Sequence, residues 1–228
     1  MELLADKGNG NYAYIDSLLE AKKVLVKEMA GTLHTLANDV KIQVEFNPAR
    51  VGAYRLIGYE NRALADEDFR DDRKDAGEIG VGHRVTALYE LIPAGHPSIP
   101  QLDPLKYQTV RPVHPRTSEE LMMVKLRYKP KGEQHSRLLS LQVEDGFTRR
   151  QSADFRFAAA VAGYGMLLTG SEHLGGFTWE QCLEMIRTSR GSDPEGYRAE
   201  LYRLVEASQL LARQQGRAPM PGVEEALR

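Results

Sequence analysis

Met122-Met123-Val124-Lys125-Leu126-Arg127-Tyr128-Lys129, then Pro130-Lys131-Gly132, then Leu139-Ser140-Leu141-Gln142-Val143-Glu144 carries the clearest structural signal in the chain. Apolar Met122, Val124, Leu126 and Tyr128 alternate with Met123, Lys125, Arg127 and Lys129, and Leu139, Leu141 and Val143 alternate with Ser140, Gln142 and Glu144. Successive side chains of a strand point to opposite faces, so this period of two reads as two half-buried strands. Pro-Lys-Gly between them is turn chemistry, which makes the pair an antiparallel hairpin. Upstream, Val40, Ile42, Val44 and Phe46 alternate with Lys41, Gln43 and Glu45, and Asn47-Pro48 ends that strand. Val51–Tyr59 reads as a strand of mixed pattern, and Val85–Ile92, apolar on both sides, as a central one. Five strands without an intervening helix predict an antiparallel β-sandwich over residues 37–146, within an α+β chain.

Two long connections interrupt the strands. Asp66–Asp75 is a charged loop or short helix, and Ala94–Arg116 holds Pro97, Pro100, Pro104, Pro112 and Pro115, a density that prevents regular structure. Beyond Gly146 the pattern turns helical, predicting a C-terminal helical cap over residues 147–228. Ser152 caps a helix from Ala153 to about Leu168 that is apolar nearly all round and expected to be buried. Thr178-Trp179-Glu180-Gln181 is a capping box, and Asp193-Pro194 opens a helix with Tyr197, Leu201, Leu204, Val205 and Ser208 on one stripe.

Residues 1–36 read differently. Glu2–Lys7 suits the last turns of a helix, Gly8 its left-handed cap, and Asn9-Gly10-Asn11 a turn. Tyr12–Ile15 is a short strand, and Ser17-Leu18-Leu19-Glu20 a capping box for a helix reaching Leu36 with Leu18, Ala21, Leu25, Met29 and Leu33 on one side. A single strand leaves its backbone groups unpaired, so Tyr12–Ile15 needs a sheet edge from elsewhere, and dimerisation is one way to obtain it. The helix is expected to pack on the β region.

With 30 basic and 32 acidic residues and a net charge of −2, bulk electrostatics give no reason to expect a nucleic-acid partner. Cys182 is the single cysteine, so no intrachain disulfide forms. No apolar run reaches the ~20 residues of a transmembrane helix.

Chemistry-bearing residue types are present without convergent spacing. The Asp66–Asp75 run has Arg70 and Asp71 where a calcium loop needs an oxygen ligand and a glycine. The six histidines form no HxH or HExxH pattern. Ser171-Glu172-His173 has triad residue types but adjacent residues do not adopt triad geometry. Gly77-Glu78-Ile79-Gly80-Val81-Gly82 precedes a strand, whereas phosphate loops lead into a helix, so its glycines read as turn residues. Tyr54, Tyr59, Tyr89 and Tyr128 offer sugar-stacking faces, although strand tyrosines mostly pack.

Leu4–Asp16, Asp39–Pro48, Tyr54–Arg62, Asp75–Gly80, Val85–Glu90 and Ser152–Ala159 together resemble the C-terminal portion of bacterial von Willebrand factor type A (VWA) proteins of the YfbK type. The resemblance implies that residues 1–36 are the final helix–strand–helix of an α/β VWA domain, followed by a conserved region of unknown role, in a cell-envelope protein. VWA domains hold a divalent cation through a DxSxS motif, whose hard oxygen ligands suit Mg²⁺ or Ca²⁺. No DxSxS occurs here, so no metal ligand carries over and no cofactor is expected in this chain.

The leading expectation is a non-enzymatic module that binds protein. Its surface is expected to use Tyr54, Arg55, Tyr59, Asp68, Asp71, Asp72, His96, Arg111 and His114, drawn from the sandwich, the acidic loop and the proline-rich loop. A carbohydrate-binding sandwich using Tyr54 and Tyr59 is the alternative. A hydrolase assembled from His83, Glu90 and distant residues is a further one.

Overall fold

The computed structural model describes residues 12–29, 31, 34–59, 64–99, 119–146 and 151–214. The predicted turns before Tyr12, most of the proline-rich connection and the C-terminal tail lie outside these residues. The fold mixes helices with antiparallel sheets and is α+β. It divides into two compact units. One runs from the first described residue to Gly146, apart from Leu56–Gly58 and Thr86–Leu88, and the other holds those two pieces and the described residues after Gly146.

In the first unit, strands β1 (Thr35–Phe46), β3 (Gly77–Gly80), β5 (Glu120–Pro130) and β6 (Arg137–Glu144) form a sheet in the order β3-β1-β5-β6. The hairpin is present, with Met122 opposite Val143, Val124 opposite Leu141 and Leu126 opposite Leu139. A separate two-stranded ribbon pairs β2 (Val51–Ile57) with β4 (Leu88–Pro93). The expected run Val85–Ile92 is paired only from Leu88 onward, and among the described residues β4 has β2 alone as its partner and so is not central. β2 ends before Tyr59 because Gly58 and Tyr59 both take left-handed backbone, at φ 76° and 66°. The glycines at 77 and 80 lie in β3 and not in a turn.

The N-terminal segment departs furthest from expectation. Tyr12–Ile15 is exposed and forms no strand with any of the described residues. Ser17 caps α1 (Leu18–Lys22) by accepting from Glu20 N at 3.1 Å. The Glu20 carboxylate pairs with Lys23 at 3.0 Å instead of closing a capping box. The helix continues as a π turn over Lys23–Lys27 and does not reach Leu36, which lies in β1. Its apolar side is not packed: Leu18 is 89% exposed, and Leu25, Val26 and Met29 are also exposed.

The second unit closes an apolar core. Helix α2 (Ala153–Thr169) starts on Ser152, which accepts from Phe155 N, and stops at left-handed Gly170. Helix α3 (Trp179–Ser189) has the full Thr178/Gln181 capping box, and α4 (Tyr197–Gln214) completes the unit. Asp193 caps the start of α4 by accepting from Ala199 N at 2.8 Å. Ala160, Leu167, Cys182, Ile186 and Val205 are buried, with Trp179, Leu183, Leu201 and Phe177 packed around them. Helix α2 is not buried all round, since Phe155, Val161 and Leu168 are exposed. On α4 the buried stripe runs through Val205 and Gln209, while Leu204 faces outward. Arg198 gathers the helix ends: it pairs with Asp154, donates to the Ser189 carbonyl at 2.8 Å and lies over the Phe157 ring.

Candidate functional site

The acidic run was expected to be a solvated loop, and it is instead fastened to the sheet. A 3-10 turn at Asp66–Phe69 buries Phe69 to 6% exposure, with the Arg127 guanidinium 5.5 Å above its ring. Lys41, only 3% exposed, donates to the carbonyls of Asp68 (3.2 Å) and Asp71 (2.6 Å). Lys129 donates to the Asp72 carbonyl at 2.6 Å and pairs with the Asp39 carboxylate. Asp39 also accepts from Ala76 N at 3.2 Å. Ser136 donates to Asp72 through both its hydroxyl and its backbone N–H, and Arg127 donates to the Ser136 hydroxyl oxygen at 2.9 Å. These loop carbonyls are partly buried, and two lysines of β1 and β5 add charged donors to them.

Local backbone makes this possible. Asp39 has φ 50°, and the β1–β5 register shifts between Asn38 and Lys41, where Asn38 faces Lys129 and Lys41 faces Arg127. Two residues of β1 thus oppose Tyr128 alone, a bulge that brings Lys41, Arg127 and Lys129 to the face on which the loop lies. Aspartate tolerates left-handed backbone better than most residues. Asn38-Asp39 ahead of a β-branched run was the one hint in the sequence. Lys41, Lys129, Asp39 and Ser136 were otherwise read as residues of a wet face or not singled out.

Asp71 and Asp72 are held ionised. Hydrogen bonds from the Arg73 side chain and backbone bring Asp71 down to about 2. The Ser136 hydroxyl and N–H lower Asp72. Asp68, bonded to Lys74 at 2.9 Å, raises that lysine's pKa, and Asp39 raises that of Lys129. Groups so displaced from neutrality are suited to fastening a loop, not to exchanging protons at neutral pH.

The other expected site residues lie apart from this network in the chain's architecture. Tyr54 packs its ring on Phe46 (centroids 4.6 Å apart), and Tyr89 meets the same Phe46 edge-on at 5.3 Å. Burial raises the Tyr89 phenol above its usual range. Arg55 is the ion-pair partner of Glu90, so the carboxylate considered for a hydrolase is taken up within the β2–β4 ribbon. His83 lies at its turn beside Gly31. His96 stabilises its own turn, its Nδ1 accepting from Ser98 N at 3.2 Å. Arg111 and His114 are outside the described residues. Among the described residues no group of three or more His, Cys, Asp or Glu is placed to hold a metal ion, and no helix is long and apolar enough to cross a membrane. Ser171 and His173 make a local turn, with His173 N donating to the Ser171 hydroxyl. Cys182, buried against the Ala160 carbonyl, has its thiol pushed up to about 11 by burial.

On the other side of the sheet the register places Ile42, Val44 and Phe46 beside Met122, Val124 and Leu126, and those beside Leu139, Leu141 and Val143. Phe46 is buried, but Ile42, Leu139 and Leu141 are 51%, 55% and 65% exposed. No feature of the strand pattern alone indicated that this apolar face would stand open.

The family described as "Uncharacterized protein YfbK, C-terminal" matches residues 31–211, and this chain belongs to it. It is 45% identical over 208 residues to "Uncharacterized protein YfbK" of Escherichia coli (strain K12), a match covering 90% of this chain and 36% of that relative. The chain thus spans about a third of the length of the curated relative it matches. No solved structure matches it.

Proposed function

We propose that the chain is a non-enzymatic interaction and scaffold module of a larger VWA protein of the cell envelope. The observation carrying this reading is the apolar sheet face, on which Ile42, Leu139 and Leu141 are more than half exposed. Contiguous apolar surface on a soluble protein marks sites of association. The acidic loop supports the reading differently: its carboxylates are taken up by Lys74, Arg73 and Ser136, so the binding surface shifts from Asp68, Asp71 and Asp72 to the opposite face of the sheet. A sandwich arrangement of the β region is supported by Phe46 of β1 packing on Tyr54 of β2 and Tyr89 of β4.

The VWA reading of residues 1–36 draws support from the family match beginning only at residue 31. The open apolar side of α1 and of Tyr12, Tyr14 and Ile15 fits a segment that another part of a larger protein covers. A VWA cation would be held by a DxSxS set outside this sequence, and no residue here is assigned to it.

The test compares capture from envelope extract by the wild-type chain and by Ile42→Glu. Specific partners are expected to be retained by the wild type and lost from the variant. Equal capture by both, or turnover of any member of a hydrolase substrate panel, overturns the reading. A carbohydrate-binding surface is a second reading, favoured by Tyr54 at 59% exposure although one side of its ring rests on Phe46. It expects glycan-array binding that Tyr54→Ala abolishes, and a blank array removes it.

A further inference from the structure

The two edges of the four-stranded sheet are built in opposite ways. β3 is four residues long, two of them glycine, carries Glu78, and meets β1 through two register shifts. Short, irregular, charged edges resist the addition of another strand. β6 has none of these protections. It is eight residues long and keeps regular register with β5 from Arg137 to Val143. Between Arg137 and Glu144 it has no charge, proline or glycine, and every residue except Val143 is exposed. Among the described residues β6 pairs with β5 alone, so its outer backbone groups face away from the sheet. An edge of this kind takes an extended strand, because main-chain groups are what it presents.

We propose that the strand it takes is β6 of a second copy of this chain, paired antiparallel about Leu141. Residues directly opposite in an antiparallel pair share a face, and a twofold axis makes the contact isologous. Centred on Leu141, the register sets Leu141 against Leu141, Leu139 against Val143 and Ser140 against Gln142, with Arg137 opposite Asp145 at either end. On the apolar face apolar side chains meet apolar ones; on the other face Ser140 meets Gln142 and Leu138 meets Glu144, and Arg137 and Asp145 at the ends carry opposite charges. Centring on Ser140 instead puts Arg137 opposite Val143, and a one-residue slip turns the apolar set to the polar side. The Leu141-centred dimer joins two four-stranded sheets into one of eight strands and makes the apolar faces of the two copies continuous. This inference stands independently of the larger protein's role.

The test is sedimentation of the full chain over a range of concentrations, with Leu141→Lys, Leu141→Glu and Leu141→Cys. A monomer–dimer equilibrium is expected for the wild type. Each charged variant alone is expected to be monomeric, because like charges directly opposite repel, and mixing the two is expected to restore a dimer. Opposed Cα atoms about 4.5–5.5 Å apart suit a disulfide, so Leu141→Cys cross-links on oxidation while buried Cys182 does not compete. Circular dichroism confirms that the variants are folded, which the 65% exposure of Leu141 favours. A wild type monomeric up to its solubility limit overturns the proposal. So does a dimer that survives Leu141→Lys unchanged or leaves Leu141→Cys uncross-linked.

Discussion

In the helical unit the most buried side chains are apolar: Cys182, Ile186 and Val205 are 0% exposed. In the sheet the most buried side chain is Lys41, at 3%, while Ile42 beside it is 51% exposed. The helices bring enough apolar surface to bury one another, so their core resembles that of many small domains. The sheet spends its buried positions on anchoring a charged loop and leaves much of its apolar face uncovered. The difference separates a part whose apolar surface is largely buried from a part whose apolar surface is largely exposed.

The largest expected effect tests the helical side of that contrast. Ile186→Ala removes a fully buried side chain, and a loss of about 3 kcal/mol is expected, in the range for large-to-small core changes. Trp179, the single tryptophan, packs on that core and reports the transition in denaturant titrations. A loss below about 1 kcal/mol means the helical core is not close-packed and the contrast fails.

Lys41→Met addresses the sheet. It keeps the aliphatic stem but removes the charged donor that the carbonyls of Asp68 and Asp71 share with the backbone N–H groups of Asp71 and Lys74, and a loss of about 2 kcal/mol is expected from deleting two charge-assisted hydrogen bonds. Faster proteolytic cleavage within residues 66–76 should accompany it. A Lys41→Met chain as stable as wild type, with an unchanged cleavage pattern, removes the lysine as an anchor. Thr178→Ala is expected to cost about 1 kcal/mol by deleting one half of the capping box, with Trp179 again the probe.

The smallest effect is on pH. Asp71 sits at about 2 because Arg73 bonds its carboxylate, below the ordinary carboxylate value of about 3.9. Between those values the unfolded chain binds the proton and the folded chain does not. The contribution is therefore fully present above about pH 4 and is lost as pH falls through about 2. In Arg73→Ala the Asp71 carboxyl, followed by NMR, is expected to titrate at higher pH. An unmoved titration shows that the Arg73 contact is not formed in solution.

Much of the secondary structure was legible because its causes are local. The alternation at Met122–Tyr128 and Leu139–Val143, the turn at Pro130-Lys131-Gly132, and the caps at Ser152 and Thr178 all act within a few residues. Misreadings occurred where a distant partner decides the outcome. Tyr12–Ile15 has β-type residues but joins no strand among the described residues, and Val85–Ala87 has a strand's composition but precedes β4, which begins at Leu88. Leu36 was assigned to the helix by its spacing from Leu33, yet it belongs to β1, which extends to Thr35. The candidate site was less legible than the fold. Asp68, Asp71 and Asp72 were singled out for their charge, but the lysines that anchor their backbone carbonyls lie 27 to 57 residues away.

The sequence by itself determined that β1, β5 and β6 have one apolar and one polar face, because side chains alternate along any strand whatever surrounds it. Only the tertiary structure decided which face acquires a cover. A bulge at Asp39 and a loop returning over Lys41 and Lys129 close off part of the polar side. Ile42, Leu139 and Leu141 remain open on the other. Cover depends on which distant segments meet, and periodicity carries no record of that.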